Sequence, residues 1–205
     1  MQIMKKIAID SAATDKNGGG GFAFAGGTKR IAVTGILTAM AFVATMFTRI
    51  PTPIIHGYFN LGDTVILIAG AMFGGFTGAF AGAVGSAAAD LAAGSYIFAP
   101  ITLIVKGLEG YITGMASGAG LRGHASDVLK RGNRRLIAAL ACGAAVMVGG
   151  YFIAEAAALS LFDRAFGLGA AVAELPFNLA QGGISVVLAR VAVEGLKRAR
   201  ILFRD

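Results

Sequence analysis

The sequence predicts an all-α membrane protein with six transmembrane helices in one domain, and three observations support this prediction. Of the 205 residues, 56% are hydrophobic and only 14% are charged, whereas soluble domains carry about 25% charged residues. The mean hydropathy is +0.74. Because a spanning helix needs about 20 mainly apolar residues, the chain after its N-terminal segment has room for about six such helices and little else.

Charges, prolines and glycines interrupt the apolar stretches and set the expected helix ends. We number the predicted helices spans 1 to 6 in chain order: about Ile31–Phe47, Leu61 to the glycines at 74, 75 and 78, Phe76–Ala92, Pro100–Ala119, Leu136–Leu161 and Ala173–Leu196. We expect residues 1–30 to be a flexible cytoplasmic tail, 31–196 the membrane domain and 197–205 a basic cytoplasmic tail. The first segment lacks an uninterrupted apolar run followed by a cleavage site, so it is not predicted to be a signal peptide.

The distribution of basic residues predicts the orientation of the helices. Of the 18 Lys and Arg residues, 14 precede span 1, fill the loop between spans 4 and 5, or follow span 6. Cytoplasmic loops carry the excess of Lys and Arg, so both termini are expected in the cytoplasm. The net charge of +7 is therefore attributed to the basic cytoplasmic segments and not to a nucleic-acid site.

Apart from Arg190 and Glu194 near the cytoplasmic end of span 6, the charged and amide residues inside the spans fall at one level, in the half of the membrane that this orientation places outside. They are Asp63, Asp90, Lys106, Glu109, Glu155, Glu174, Asn178 and Gln181. A charge in hydrocarbon costs about 2.5 to 3.5 kcal/mol on insertion scales, so these groups should face a cavity lined by protein. Tyr96 and Tyr151 lie at the same level and could stack on a flat ring.

From these groups we predict a ligand site that uses Asp90, Tyr96, Lys106, Glu109, Tyr151, Glu155, Asn178 and Gln181. Lys106 could take a phosphate or a carboxylate of the ligand. Structural roles are the alternative: Asp63 as a helix cap, Lys106 and Glu109 as an ion pair, Asn178 and Gln181 as hydrogen bonds between helices, and the aromatic side chains as an interfacial belt.

Other chemistries have little support in the sequence. The single cysteine, Cys142, excludes an internal disulfide and is interpreted as a packing residue. Both histidines lie in predicted loops, so no metal site and no cofactor are expected. The segment GMASGAG around Ser117 lacks the GxSG nucleophile motif of an intramembrane serine protease, and no Walker A pattern occurs. The protein is therefore not predicted to be an enzyme.

Four segments in this order carry a resemblance to a known family. They are GYFNLGD at 57–63, FGGFTGAFAGAVGSAAADL at 73–91, APITLIVKGLEGYITG at 99–114 and ELPFNLAQGGI at 174–184. Over about residues 30 to 196 the chain resembles the substrate-binding S component of an energy-coupling factor (ECF) vitamin transporter, with the riboflavin-type grouping nearest. Asn60, in the first segment, joins the predicted ligand-binding residues.

The resemblance implies how such a protein works. A member binds a vitamin or precursor from outside, docks on a transmembrane scaffold subunit driven by two ATPase subunits, and is thought to topple in the membrane to release its cargo. The family's docking motif of two alanines four residues apart is matched here by Gly35 and Ala39. Riboflavin-, pyridoxine- and pyrimidine-like ligands all remain open. The alternative function is a stand-alone carrier or channel for a small metabolite, in the cell membrane of a prokaryote.

Overall fold

The computed structural model describes residues 27–52, 58–120, 132–161 and 164–202. The predicted loop residue His56, most of the N-terminal tail, much of the basic loop between spans 4 and 5, and Arg204 lie outside these ranges. Within them the chain forms seven α-helices: α1 Gly27–Phe47, α2 Gly62–Phe73, α3 Gly75–Phe80, α4 Ala87–Ala92, α5 Ala99–Ser117, α6 Asn133–Ile153 and α7 Leu168–Leu202.

These helices build the six predicted spans. Spans 1, 2, 4 and 6 are α1, α2, α5 and α7. Span 3 consists of α3 and α4 joined by a π-helical segment, Ala81–Ser86. Span 5 is α6 prolonged by the π-helical segment Ala154–Ala158 and the 3-10 turn Leu159–Leu161. The all-helical membrane fold predicted from the sequence is therefore confirmed.

The spans differ in length and polarity. Among the described residues, three helical stretches are long and apolar enough to cross a membrane, Thr28–Phe47, Asn133–Leu161 and Leu168–Ala199. Span 2 has only 12 residues, and span 4 carries Lys106 and Glu109. Span 6 begins five residues before the predicted Ala173, and its 35 residues extend about 52 Å. It therefore exceeds the hydrocarbon thickness of about 30 Å.

The predicted loop between spans 1 and 2 contains a short β-hairpin, which the sequence analysis did not anticipate. Strands β1 (Ile50–Pro51) and β2 (Tyr58–Phe59) pair antiparallel, with Ile50 opposite Phe59 and Pro51 opposite Tyr58. We call the end of the helix bundle that carries this hairpin the hairpin end.

Glycines allow spans 2, 3 and 4 to pack backbone against backbone. A Cβ atom on Gly78 would lie 2.5 Å from the Cα of Gly70, and a Cβ atom on Gly110 would collide with the carbonyl of Gly78. Gly74 alone links spans 2 and 3 at a φ of 94°, a value that favours glycine because it has no Cβ. The very short link predicted between these spans is thus confirmed.

An apolar cluster closes the bundle at the end opposite the hairpin. Spans 2, 5 and 6 supply its fully buried side chains, among them Leu67, Ala71, Leu140, Ala189 and Val193. Cys142 lies outside this packing: its side chain is exposed, so it does not pack inside the bundle as expected. Its neighbour Gly143 faces spans 2 and 4 instead.

Candidate functional site

A cluster of polar side chains ties the hairpin to spans 1 and 3. The guanidinium of Arg49, just after span 1, lies 2.5 Å from Asp90 Oδ1 and donates to Ser95 Oγ over 3.0 Å. It also stacks on the ring of Tyr58, 3.6 Å from the ring centroid. The Tyr58 hydroxyl donates to the same oxygen of Asp90. Asp90 is fully buried, so these donors offset the cost of burying its charge.

The Tyr58 hydroxyl is a hydrogen-bond donor to Asp90. Tyr58 lies in β2, outside the membrane-spanning helices, and burial raises its pKa above the usual value of 10.0. A tyrosine is already protonated at physiological pH with its usual pKa, and burial extends that protonated range to higher pH. This cluster therefore fixes one side of the hairpin.

A second buried cluster joins spans 2, 4 and 6. The ammonium group of Lys106 donates to Asp63 Oδ1, and its Nζ lies 3.4 Å from Glu109 Oε2. The other oxygen of Asp63 accepts a hydrogen bond from Gln181 Nε2 over 2.9 Å. Gln181 Oε1 accepts from the backbone N–H of Asn60 over 2.8 Å. Both ends of the Gln181 amide are thus used to hold span 6 against the start of span 2.

A cleft opens beside this cluster at the hairpin end. Its lining residues are Tyr58, Asn60, Phe98, Tyr151, Glu155, Glu174, Asn178 and Gln181. The hydroxyl groups of Tyr151 and Thr102 lie 2.9 Å apart, and Phe98 packs edge-on against Phe166 with ring centroids 5.5 Å apart. The cleft therefore combines rigidly held aromatic rings with side-chain amides and carboxylates, as small-molecule sites do.

Two carboxyl groups line the cleft, one from span 5 and one from span 6. Glu174 of span 6 accepts a hydrogen bond from Thr52 Oγ1 over 2.7 Å, which ties the hairpin loop to span 6. Glu155 lies in the π-helical segment of span 5. Its Oε2 is buried and has no hydrogen-bond partner among the described residues. π-helical turns are often found at functional sites because the extra residue re-aims side chains.

The structure brings five of the nine predicted ligand-binding residues to the cleft: Asn60, Tyr151, Glu155, Asn178 and Gln181. The other four lie elsewhere. Lys106 and Glu109 face each other and Asp63, and Asp90 faces Arg49 and Tyr58. Tyr96 is 69% exposed, and Phe98, two residues later, takes the position in the lining.

Several residues of the site were missed or misinterpreted from the sequence. Asp63 was interpreted as a possible helix cap, but both of its oxygens accept side-chain hydrogen bonds from other spans. Arg49 served only to mark a span end, and Glu174 was noted without being predicted as a ligand contact. All three are charged residues near a predicted helix end in the outer half of the membrane, and this shared position could have identified them.

Metal binding has no support in the described part of the chain, where no group of three or more His, Cys, Asp or Glu side chains is placed to hold an ion. The docking residues predicted on span 1, Gly35 and Ala39, are both exposed. Among the described residues, none lies within 4 Å of a Cβ atom placed on Gly35. In the described structure, that stretch of span 1 is therefore free to meet another surface.

Comparisons with known proteins agree with this architecture. A model of the family described as the S component of the ECF-type riboflavin transporter matches residues 27–198. An uncharacterized protein from the gap 3′ region of Pyrococcus woesei is 36% identical over 146 residues, which are 71% of this chain and 86% of that protein.

Two solved structures share the fold. The S component of a bacterial ECF transporter superposes with a TM-score of 0.63 at 22% identity, over 86% of this chain and 99% of the other. ThiT from Listeria monocytogenes gives a TM-score of 0.55 at 14% identity, over 83% of this chain and 96% of the other. With the family match over most of its length, the chain belongs to the S-component family of ECF-type riboflavin transporters, membrane proteins that bind a transporter's substrate and are not enzymes.

Proposed function

We propose that this protein captures a vitamin or vitamin precursor with a flat heteroaromatic ring, of riboflavin, pyridoxine or pyrimidine type, from outside a prokaryotic cell for ATP-driven uptake. The observation that carries the proposal is the cleft at the hairpin end. Three aromatic rings and several side-chain amides and carboxylates line it, the combination of apolar walls and a few polar groups that small-molecule sites have.

The lining suits such a ring. Tyr58, Phe98 and Tyr151 offer aromatic faces and edges, on which a flat heterocycle packs favourably. The amide of Asn178 offers both a donor and an acceptor to ring nitrogen and oxygen atoms. The Gln181 amide already binds the Asn60 backbone N–H and Asp63, and Asn60 Oδ1 accepts from the Gly62 N–H. These two residues therefore hold the wall in shape, and Asn178 contacts the ligand.

The charge distribution supports an outward-facing cleft. At the end opposite the hairpin, Arg134, Arg135 and Arg198 are exposed, and this is the side that the positive-inside rule assigns to the cytoplasm. The hairpin end then faces outside, with both termini of the chain in the cytoplasm. A ligand would reach the cleft from the external medium past the hairpin.

The proposed partners are a transmembrane scaffold subunit and two ATPase subunits. ECF S components work with such subunits, and the exposed pair Gly35 and Ala39 offers a small-residue groove where a partner helix can approach closely. Neighbouring apolar side chains of span 1, Ile36 and Met40, are 60% and 51% exposed. They would pack against either lipid or the scaffold.

Native mass spectrometry of the protein purified gently in detergent tests the proposal. A co-purified molecule of vitamin size, whose addition also raises the melting temperature of protein stripped of it, is the expected result. If no small molecule is found and none of riboflavin, pyridoxine or hydroxymethylpyrimidine shifts the melting temperature, the binding role in this cleft is wrong. A stand-alone carrier with weak affinity would then be the better description.

A further inference from the structure

We propose that Glu155 and Glu174 make one end of the cleft selective for a hydrogen-bond-donating group without negative charge, so that phosphorylated or carboxylated forms of the ligand are rejected. The inference rests on the proposed function, because it names the chemistry of one end of the proposed ligand. The group recognised is a hydroxyl or a protonated amine.

The first observation is a buried acceptor that nothing in the protein satisfies. Glu155 is 5% exposed and lines the cleft. Its Oε2 has no hydrogen-bond partner among the residues that the structure describes. A buried acceptor without a partner carries a large desolvation cost. A donor supplied by the ligand would remove that cost, and an anion would add to it.

The second observation is the charge balance around the cleft. Arg49 is held by Asp90, and Lys106 is held by Asp63 and lies beside Glu109. No Lys, Arg or His is among the eight lining residues, which include Glu155 and Glu174. Arg49 lies over the ring of Tyr58 and Lys106 over that of Tyr151. Both cations behind the lining rings are thus already paired, and two further carboxyl groups remain at the lining. The position of Lys106 therefore argues against the anion contact that the sequence suggested for it.

The third observation is that Glu174 is held in place, because Thr52 Oγ1 donates to its Oε1 over 2.7 Å. Glu155 reaches the cleft from the π-helical segment Ala154–Ala158. An anion bound beside these two carboxyl groups would meet no cation among the lining residues, so nothing would offset the cost of removing its charge from water. A preorganised acceptor such as Glu174 loses little entropy when it binds a donor.

The test compares each candidate ligand with its phosphate ester by isothermal titration. The three pairs are riboflavin, pyridoxine and 4-amino-5-hydroxymethyl-2-methylpyrimidine, each with its monophosphate. The purified wild type should bind the unphosphorylated member of one pair at least about tenfold more tightly than its ester, which corresponds to about 1.4 kcal/mol. Glu155→Gln and Glu174→Gln keep the side-chain shape and replace one carboxyl group by an amide, and each should reduce that preference severalfold.

Glu194→Gln is the matched control, since it removes a carboxylate from the same span 20 residues further on, about 30 Å away along the helix. It should leave the preference unchanged. Elution as a single species in size-exclusion chromatography shows that each variant is folded. If one glutamine variant fails to fold, the other still tests the proposal.

The outcomes separate the two claims. A preference that is equal in wild type and in the glutamine variants, with binding retained, overturns this inference and leaves the proposed function standing. If no member of the three pairs binds the wild type, the proposed ligand class is wrong and the inference falls with it. Tighter binding of pyridoxamine than of pyridoxine, lost in Glu155→Gln, would assign the donor as an ammonium group, and equal binding would assign it as a hydroxyl.

Discussion

Gln181 of span 6 donates from Nε2 to Oδ2 of Asp63, the second residue of span 2, over 2.9 Å. Asp63 in turn accepts from Lys106 of span 4, so one carboxylate joins three helices. Gln181 also lines the cleft. The wall of the proposed ligand site is thus built directly on the buried ion pair.

Replacing either polar residue of span 6 should weaken ligand binding, with different effects on stability. Asn178→Ala removes a group that faces the ligand and should reduce affinity by roughly 5- to 150-fold, since a lost buried hydrogen bond costs about 1 to 3 kcal/mol. Gln181→Ala should also lower the melting temperature, because it leaves Asp63 and the Asn60 N–H short of a partner. Titration calorimetry and thermal unfolding in detergent measure both effects. Unaltered affinity in both variants would remove span 6 from the site.

Lys106→Met should destabilise the protein and leave the shape of the cleft unchanged, because Lys106 does not line it. The substitution keeps the approximate length of the side chain but leaves the buried carboxylates of Asp63 and Glu109 without their cation, a loss of about 3 to 5 kcal/mol. The control is Lys197→Met, which breaks the pair with Glu194 at 3.8 Å near the end of span 6 and should cost at most about 1 kcal/mol. Unfolding free energies in mixed micelles compare the two. Equal stability of both variants would contradict a structural role for Lys106.

Gly110→Ala should be strongly destabilising, because its Cβ would collide with the carbonyl of Gly78. Overpacking of this kind typically costs about 1 to 3 kcal/mol, and here the obstacle is backbone. Gly183→Ala is the control, since a Cβ on that exposed glycine of span 6 meets nothing within 4 Å. It should leave the melting temperature unchanged or slightly higher. A Gly110 variant as stable as the Gly183 variant would show that the two helices separate easily.

Gly35→Leu should abolish uptake while ligand binding stays at the wild-type level. The leucine fills the proposed docking groove, and because nothing lies within 4 Å of its Cβ position, it should not disturb the fold. Gly183→Leu places the same side chain in open space on span 6 and should transport normally. The measurement is uptake of labelled ligand by cells that also express the scaffold and ATPase subunits. Normal uptake by the Gly35 variant would locate docking elsewhere.

The helices were predictable because the signal for a spanning helix is local. The apolar runs and the breaks at Gly74 and Pro100 lie in the sequence itself, and span ends differ from prediction by a few residues. The largest differences are in span 6, which begins five residues early at Leu168 and ends six residues late at Leu202. At its start, apolar and small residues continue the helix. The π-helical segments left no periodic signal, since each replaces one turn within a continuous apolar run.

The side-chain partners were not predictable in the same way. A charge in an apolar run, such as Lys106, indicates a protein-lined environment, but its partner depends on the rotation and depth of other helices. The sequence therefore placed Lys106 and Asp63 at one level without showing that they bind each other. The choice between Tyr96 and Phe98 depended likewise on the course of a short loop.

The apolar cluster opposite the hairpin blocks the passage of a ligand along the axis of the bundle. Leu67, Leu140 and Val193 have no exposed surface, and the glycine contacts of spans 2 to 4 leave no gap between backbones. A molecule of vitamin size could follow the bundle axis only by parting contacts that hold the fold together. Delivery to the far side would require either that these contacts open or that the whole protein turns in the membrane with the cleft still filled, and either change needs a source of free energy outside this bundle.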